Sequence, residues 1–290
     1  MPINQKHRYL ILGASSWVGH YLIAALQRRS PGCQIAGTYH KHRPNLDIRL
    51  LPLSSMDSDA AHVIFVDFKP TVTINLLRGE TDQDFEWHRY LMKKVSNYGG
   101  YYLFGSSSNA VDFNLDQPHN ESEPSKAQSA YGMFKSRCEE ELLAEFPNYG
   151  IIRFAAIHGW APNRLSRTEE FLLELSKGST LSFPRGIIQN RLSDRMLATM
   201  IAEIAFCRGD GIYHLGTIDH SDEVDFRRRL AQAFGYHPDQ IQETAGTPCN
   251  LLMIPNKIFE ISQMDLRFSE SDTISEVAKT PELHRYLNRL

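Results

Sequence analysis

Four scarcities in this 290-residue chain each exclude a class of protein. Cysteine occurs four times, at Cys33, Cys138, Cys207 and Cys249, too far apart for a paired-thiol motif or a zinc site. Such spacing implies free thiols in a reducing compartment, with no disulfide and no structural metal. No apolar run reaches the roughly 18 residues that span a bilayer. Met1 to Arg8 is polar and leads straight into an apolar run, without the features of a secretory signal, so a cytoplasmic location and no membrane contact are expected. Basic excess is missing too: the net charge is −3, whereas a general nucleic-acid binder needs cations to displace counterions from phosphates. Finally, no repeat or low-complexity stretch interrupts a composition of 42% hydrophobic and 22% charged residues, which excludes disorder and fibres.

What is present is an alternation of short apolar runs with helical periodicity. Tyr9–Leu12, Gln34–Tyr39, Asp47–Leu53, Thr71–Leu77 and Tyr101–Phe104 read as strands. Between them, Val18–Leu26, Asp57–Phe68 and Asp82–Tyr98 read as helices. This spacing predicts an α/β fold, a doubly wound parallel sheet with right-handed crossovers. Asp112–Gln128 reads as a long polar loop, and Ser129 opens a further helix. Beyond Gly159 the pattern thins: helices are expected at Arg167–Lys177, Asp194–Cys207 and Asp222–Phe234, and a strand at Gly211–Leu215. Ser269–Leu290 is charged and expected to be helical in part. The division is therefore a Rossmann dinucleotide-binding part over residues 1–160 and a smaller carboxyl-terminal part over 161–290, with some segments returning to the sheet.

The first turn is Gly13-Ala14-Ser15-Ser16-Trp17-Val18-Gly19. In a dinucleotide fold, glycines here permit positive φ and let backbone N–H groups approach a pyrophosphate at the positive end of a helix. Two of three glycines are present; Ser16 takes the middle place in a G-x-x-G-x-x-G register, and Trp17 takes it in the alternative. After the second strand comes His40-Lys41-His42-Arg43, where an NAD site usually carries an acid for the ribose 2′-hydroxyl. Cationic Lys41 and Arg43 suit a 2′-phosphate, hence NADP(H). The two histidines have no third ligand nearby, which argues against a metal.

Two tyrosine–lysine pairs stand four residues apart, Tyr131 with Lys135 and Tyr90 with Lys94. At that spacing both side chains emerge from one helix face, and a neighbouring ammonium is expected to lower the phenol pKa from about 10. Tyr131, Lys135, Cys138 and Leu142 share a face that would lie on the sheet, with the first turn near Ser106-Ser107-Ser108 at the end of the fifth strand. Tyr90 falls mid-helix, before that strand.

The glycine turn, the serine-ended strand and Tyr131-x-x-x-Lys135 resemble the extended short-chain dehydrogenase/reductase family, and the dTDP-4-dehydrorhamnose reductases within it. Ser107 lies 24 residues before Tyr131, a similar spacing to the Ser/Thr and Tyr of those reductases, and Ile151–Gly159 resembles the strand and loop that close the nicotinamide end. The resemblance implies a catalytic set of Ser107, Tyr131 and Lys135, with Ser108 as the competing serine when the run is matched to sugar epimerases. It also implies cofactor contacts from Gly13, Ser15, Ser16, Trp17, Val18, Gly19, Lys41, Arg43, Leu76, Tyr131 and Lys135, a nucleotide-sugar substrate held by the carboxyl-terminal part, and a possible homodimer. Departures are Pro52 where an adenine-holding acid is frequent, His88 near the place of an assisting Asn, and Ser108-Asn109 where dehydratases carry Asp-Glu. Two alternatives to a reductase are a cofactor-binding protein without turnover, similar to the regulatory beta subunit of methionine adenosyltransferase, and an epimerase.

Overall fold

Apolar runs buried on both faces form one seven-stranded sheet in which every pairing is parallel. The computed structural model describes residues 7–288; Met1 to Lys6, which carry most of the segment read for a secretory signal, and Arg289 and Leu290, which end the charged tail, lie outside the described residues. In chain order the first elements are β1 (Arg8–Leu12), α1 (Trp17–Arg29), β2 (Gln34–Tyr39), β3 (Arg49–Pro52), α2 (Ser58–Phe68), β4 (Val72–Asn75), α3 (Asp82–Asn97), β5 (Tyr101–Gly105), α4 (Ala130–Glu145) and β6 (Tyr149–Phe154). There follow β7 (Ala156–His158), α5 (Arg167–Ser176), β8 (Leu181–Pro184), β9 (Ile187–Gln189), β10 (Arg191–Ser193), α6 (Asp194–Cys207), β11 (Gly211–Leu215), α7 (Glu223–Ala233), β12 (Ile241–Thr244), β13 (Cys249–Leu251) and α8 (Lys257–Ile261).

The sheet runs β11-β6-β5-β4-β1-β2-β3, so strand order reverses between β1 and β4, and the crevice above their carboxyl ends is where this architecture holds ligands. The fully buried residues of β1 show how the two layers arise. Tyr9 and Ile11 face α1 and α6, while Leu10 and Leu12 face α2, α3 and α4. Helix starts follow their caps: Ser16, Asp57, Thr81, Ser129, Ser193 and Asp222 each accept a hydrogen bond from a first-turn amide. The third strand is shorter than expected, Arg49–Pro52 rather than Asp47–Leu53, because it is an edge strand paired only with β2.

In the carboxyl-terminal part the expected helices form within a residue or two of their limits, and β11 joins β6 at the sheet edge. Not anticipated are three two-stranded parallel ladders, β7 with β10, β8 with β12 and β9 with β13. Each spans three or four residues, too few for a period-two pattern to stand out.

The polar segment 112–128 is a loop, as read, but a pinned one. Buried Glu121 accepts hydrogen bonds from the N–H of His214 and of Lys257, both at 2.9 Å, and the N–H of His119 donates to Leu252 O. No described helix is long and apolar enough to cross a membrane.

Candidate active site

The turn after β1 is built for a close approach. Gly13 has φ +85°, and a Cβ on Gly19 would come within 2.6 Å of Gly13 O, so the start of α1 is pressed against the strand end. Ser16 occupies the middle place as helix cap, its Oγ accepting from Gly19 N–H at 3.1 Å. The N–H groups of Trp17 and Val18, the first two of α1, have no acceptor among the described residues. Trp17 turns its indole sideways and donates from Nε1 to Asp194 Oδ2 at 3.1 Å, while Ser15 O accepts from Asn163 Nδ2 at 3.0 Å. Leu76 borders the same turn; its N–H donates to Leu12 O, and its backbone lies 3.5 Å from a Cβ placed on Gly13. Beyond β2, Lys41 and Arg43 are exposed and make no ion pair among the described residues.

Tyr131 and Lys135 occupy the first turns of α4, which lie on the serine run. A Cβ on Gly132 would approach Asn109 O to 2.2 Å, so only glycine lets the helix sit this close to the short 3-10 turn Ser108–Val111. Lys135 is buried: its Nζ donates to Gly105 O at 2.7 Å and to Leu77 O at 3.4 Å, bridging the ends of β5 and β4. Burial lowers its pKa to about 8. Ser107 Oγ accepts from Asn109 N–H and donates to Asn109 Oδ1, both at 3.2 Å, whereas the hydroxyl of Ser108 has no hydrogen bond among the described residues. Ser106 points the other way and donates to Glu139. The rival pair is elsewhere: Tyr90 OH donates to Ser58 O at 3.0 Å, its ring stacks on Trp87, and Lys94 meets His62 on the face shared by α2 and α3.

One electrostatic expectation is corrected. The pKa of Tyr131 is raised rather than lowered, because burial of the phenol outweighs the cations around it. The cation that opposes this is Arg78, not Lys135, whose ammonium is 5.6 Å from the ring centroid and bound to carbonyls. Arg78 holds its guanidinium 4.9 Å from the centroid of the Tyr131 ring.

Sequence reasoning missed Arg78, and it missed Asp112. The Asp112 carboxylate accepts from Gln128 N–H at 2.6 Å, from the Ser129 hydroxyl and from Asn109 Nδ2 at 3.3 Å, so one buried acid ties the serine turn to the cap of α4. Its partners lie up to 17 residues downstream, where no local pattern links them. His88, at the place noted for an assisting Asn, is buried against Asn75, with Nδ1 3.1 Å from Asn75 Nδ2. Two surface cavities of about 170 and 430 Å³ lie away from this site, one beside the amino end of β5 and one between α1 and α6.

No protein-family model matches the sequence, and no curated protein matches it significantly. Solved structures do match. A dTDP-4-dehydrorhamnose reductase from Clostridium acetobutylicum is 18% identical over 96% of this chain and 99% of its own, with a TM-score of 0.71. The dTDP-4-dehydrorhamnose reductase of Bacillus anthracis, solved with NADP, is 13% identical over 94% of this chain and 99% of its own, TM-score 0.73. From the same organism, dTDP-glucose 4,6-dehydratase with NAD is 12% identical over 97% and 99%, TM-score 0.78. The chain shares the fold of these enzymes. At identities of 12 to 18% the likeness is one of architecture.

Within this fold, the glycine turn is joined to the carboxyl-terminal part by a titratable acid. Asp194 is buried against Gly159, and desolvation raises its pKa to about 7. Three buried histidines are pushed the opposite way by burial: His88 and His214 each to about 3, and His158 well below its usual value. A histidine kept neutral in the folded state contributes stability that is present above its unfolded pKa and lost as pH falls below it. From about pH 7.5 to about pH 5.5 His88 and His214 together cost about 3 kcal/mol, and His158, His7 and His20, all lowered by burial, act in the same direction. Asp194, whose folded pKa is raised, binds its proton more tightly when folded and offsets about 2 kcal/mol of this over the same window. Urea denaturation at the two pH values should therefore show a net loss of stability on acidification, and Asp194→Asn should steepen it. A flat profile would contradict the neutral state of the histidines.

Proposed function

We propose that this protein is an NADP(H)-dependent reductase of a keto group on a nucleotide-linked deoxy sugar, similar to dTDP-4-dehydrorhamnose reductases. The observation that carries the reading is the half-buried Tyr131, its hydroxyl without a partner among the described residues, set beside the buried Lys135 ammonium and the serine turn. A dinucleotide fits the residues present. The N–H groups of Trp17 and Val18, unpaired among the described residues, with Gly13 and the capping Ser16, suit a pyrophosphate; Ser15, Gly19 and Leu76 shape the same turn. Exposed Lys41 and Arg43 suit a 2′-phosphate. When bound, the dinucleotide supplies hydride. Tyr131 gives its proton to the carbonyl oxygen of the substrate, and Lys135 holds the cofactor ribose from its seat between β4 and β5. Ser107 donates a hydrogen bond to the same oxygen; Ser108, whose hydroxyl has no partner among the described residues, is the competing donor, and the two alanine variants separate them. A substrate-binding role for residues 161–290 and a cytoplasmic setting belong to the same proposal.

A second reading, dinucleotide binding without turnover, is favoured by the raised pKa of Tyr131. Titration of NADPH and NADH against the protein, followed by a screen of keto-sugar nucleotides for oxidation of the reduced cofactor, separates the readings. NADPH should bind at least tenfold more tightly than NADH, and Lys41→Ala with Arg43→Ala should abolish the difference. Equal binding of NADH would sink the role given to these two cations.

A further inference from the structure

We propose that Arg78 is an electrostatic positioning residue for Tyr131: its guanidinium, laid over the phenol ring, sets how readily the hydroxyl parts with its proton, and Glu80 opposes it. Arg78 follows β4 and approaches the Tyr131 ring to 4.9 Å. The segment that carries it is fastened on both sides. A Cβ on Gly79 would meet the Phe134 ring at 2.5 Å, so the chain lies flat on α4, and the N–H of Glu80 donates to Asp84 Oδ2 at 3.1 Å. The arginine is therefore delivered to the tyrosine by the backbone, although its side chain is 72% exposed and, among the described residues, has only Glu80 as an ionic partner.

Other charged groups on the surrounding elements are committed elsewhere. Lys135 is bound to the carbonyls of Gly105 and Leu77, and Glu139 to Arg153. Asp112 is spent on Gln128 and Ser129, and Asp84 on the Thr81 cap. Burial keeps His88 neutral. Arg78 and Glu80 remain, one favouring and one opposing the phenolate, and both act on Tyr131 in those senses. Because the pair is exposed and separated by one residue, it is cheap to rearrange. A group entering the site that engages Glu80 would leave Arg78 to act on the phenol alone.

The role of Arg78 in turnover rests on the reading of Tyr131 as proton donor; its effect on the phenol does not. The test uses the full chain with tyrosine labelled at the phenol carbon by carbon-13, titrated by NMR, with Tyr131→Phe identifying the resonance. In Arg78→Gln the Tyr131 midpoint should rise by about one pH unit, in Glu80→Gln it should fall, and Arg78→Lys should restore most of the wild-type value. Thermal midpoints should not change, since both residues are exposed. A midpoint unchanged in Arg78→Gln, or raised in Glu80→Gln, overturns the proposal. Where turnover is measurable, its alkaline limb should follow the NMR midpoint. Absence of turnover in the wild type would count against the reductase reading, while the titration still decides the part played by Arg78.

Discussion

On the proposed reductase reading, Tyr131→Phe is expected to lower the rate of keto-sugar reduction by about 10²- to 10⁴-fold, the usual worth of a positioned general acid. Phenylalanine keeps the ring beneath Arg78 and removes only the hydroxyl, so the packing of the first turn of α4 is unchanged. The loss should appear in kcat, with the dissociation constant of NADPH within a fewfold of wild type, because in the proposed step the proton is passed only as the carbonyl oxygen gains charge. Initial rates of cofactor oxidation at saturating substrate check this. Turnover within a fewfold of wild type would remove Tyr131 from the proton path and would favour a donor from the serine run.

Glu139→Gln should cost about 3–5 kcal/mol of folding free energy, the penalty for leaving a buried charge without its partner. The side chains of Arg153 and Glu139 are both wholly buried. Arg153 donates to Glu139 from Nη2 at 2.6 Å and from Nε at 3.1 Å, and its Nη1 reaches Glu123 O. Glu139 also takes the hydroxyl of Ser106, the residue before Ser107, and it lies one helical turn after Lys135. The pair thus fixes α4 to the ends of β5 and β6, and its loss would loosen the site as well as the fold. Chemical denaturation followed by circular dichroism measures the effect. Replacing both members by apolar residues, as Arg153→Met with Glu139→Leu, should recover most of the loss. A single-variant penalty below about 1 kcal/mol would mean that water reaches the guanidinium.

Legibility in the sequence followed the range of the interactions. Continuous apolar runs such as Leu10-Ile11-Leu12 declare a strand covered on both faces, and Ser129 before a periodic segment declares a helix start, because these signals are carried by neighbours in sequence. The short ladders of the carboxyl-terminal part carried too little pattern to be read. Electrostatics failed for a related reason. Two residues four apart on a helix share a face, but the medium around them is set by the rest of the chain: burial of Tyr131 raised its pKa, and Lys135 turned to backbone carbonyls.

The sequence by itself determined the order of strands and helices up to the helix that carries Tyr131, the glycine turn at 13–19, and the placing of Tyr131 and Lys135 after a serine-ended strand, since local propensity and periodicity encode these directly. Only the tertiary structure decided which charges face the phenol, that Asp112 ties the serine turn to α4, and that Trp17 reaches Asp194. Those contacts join segments from 16 to 177 residues apart, and their strength depends on how far water is excluded around them, which no local pattern encodes.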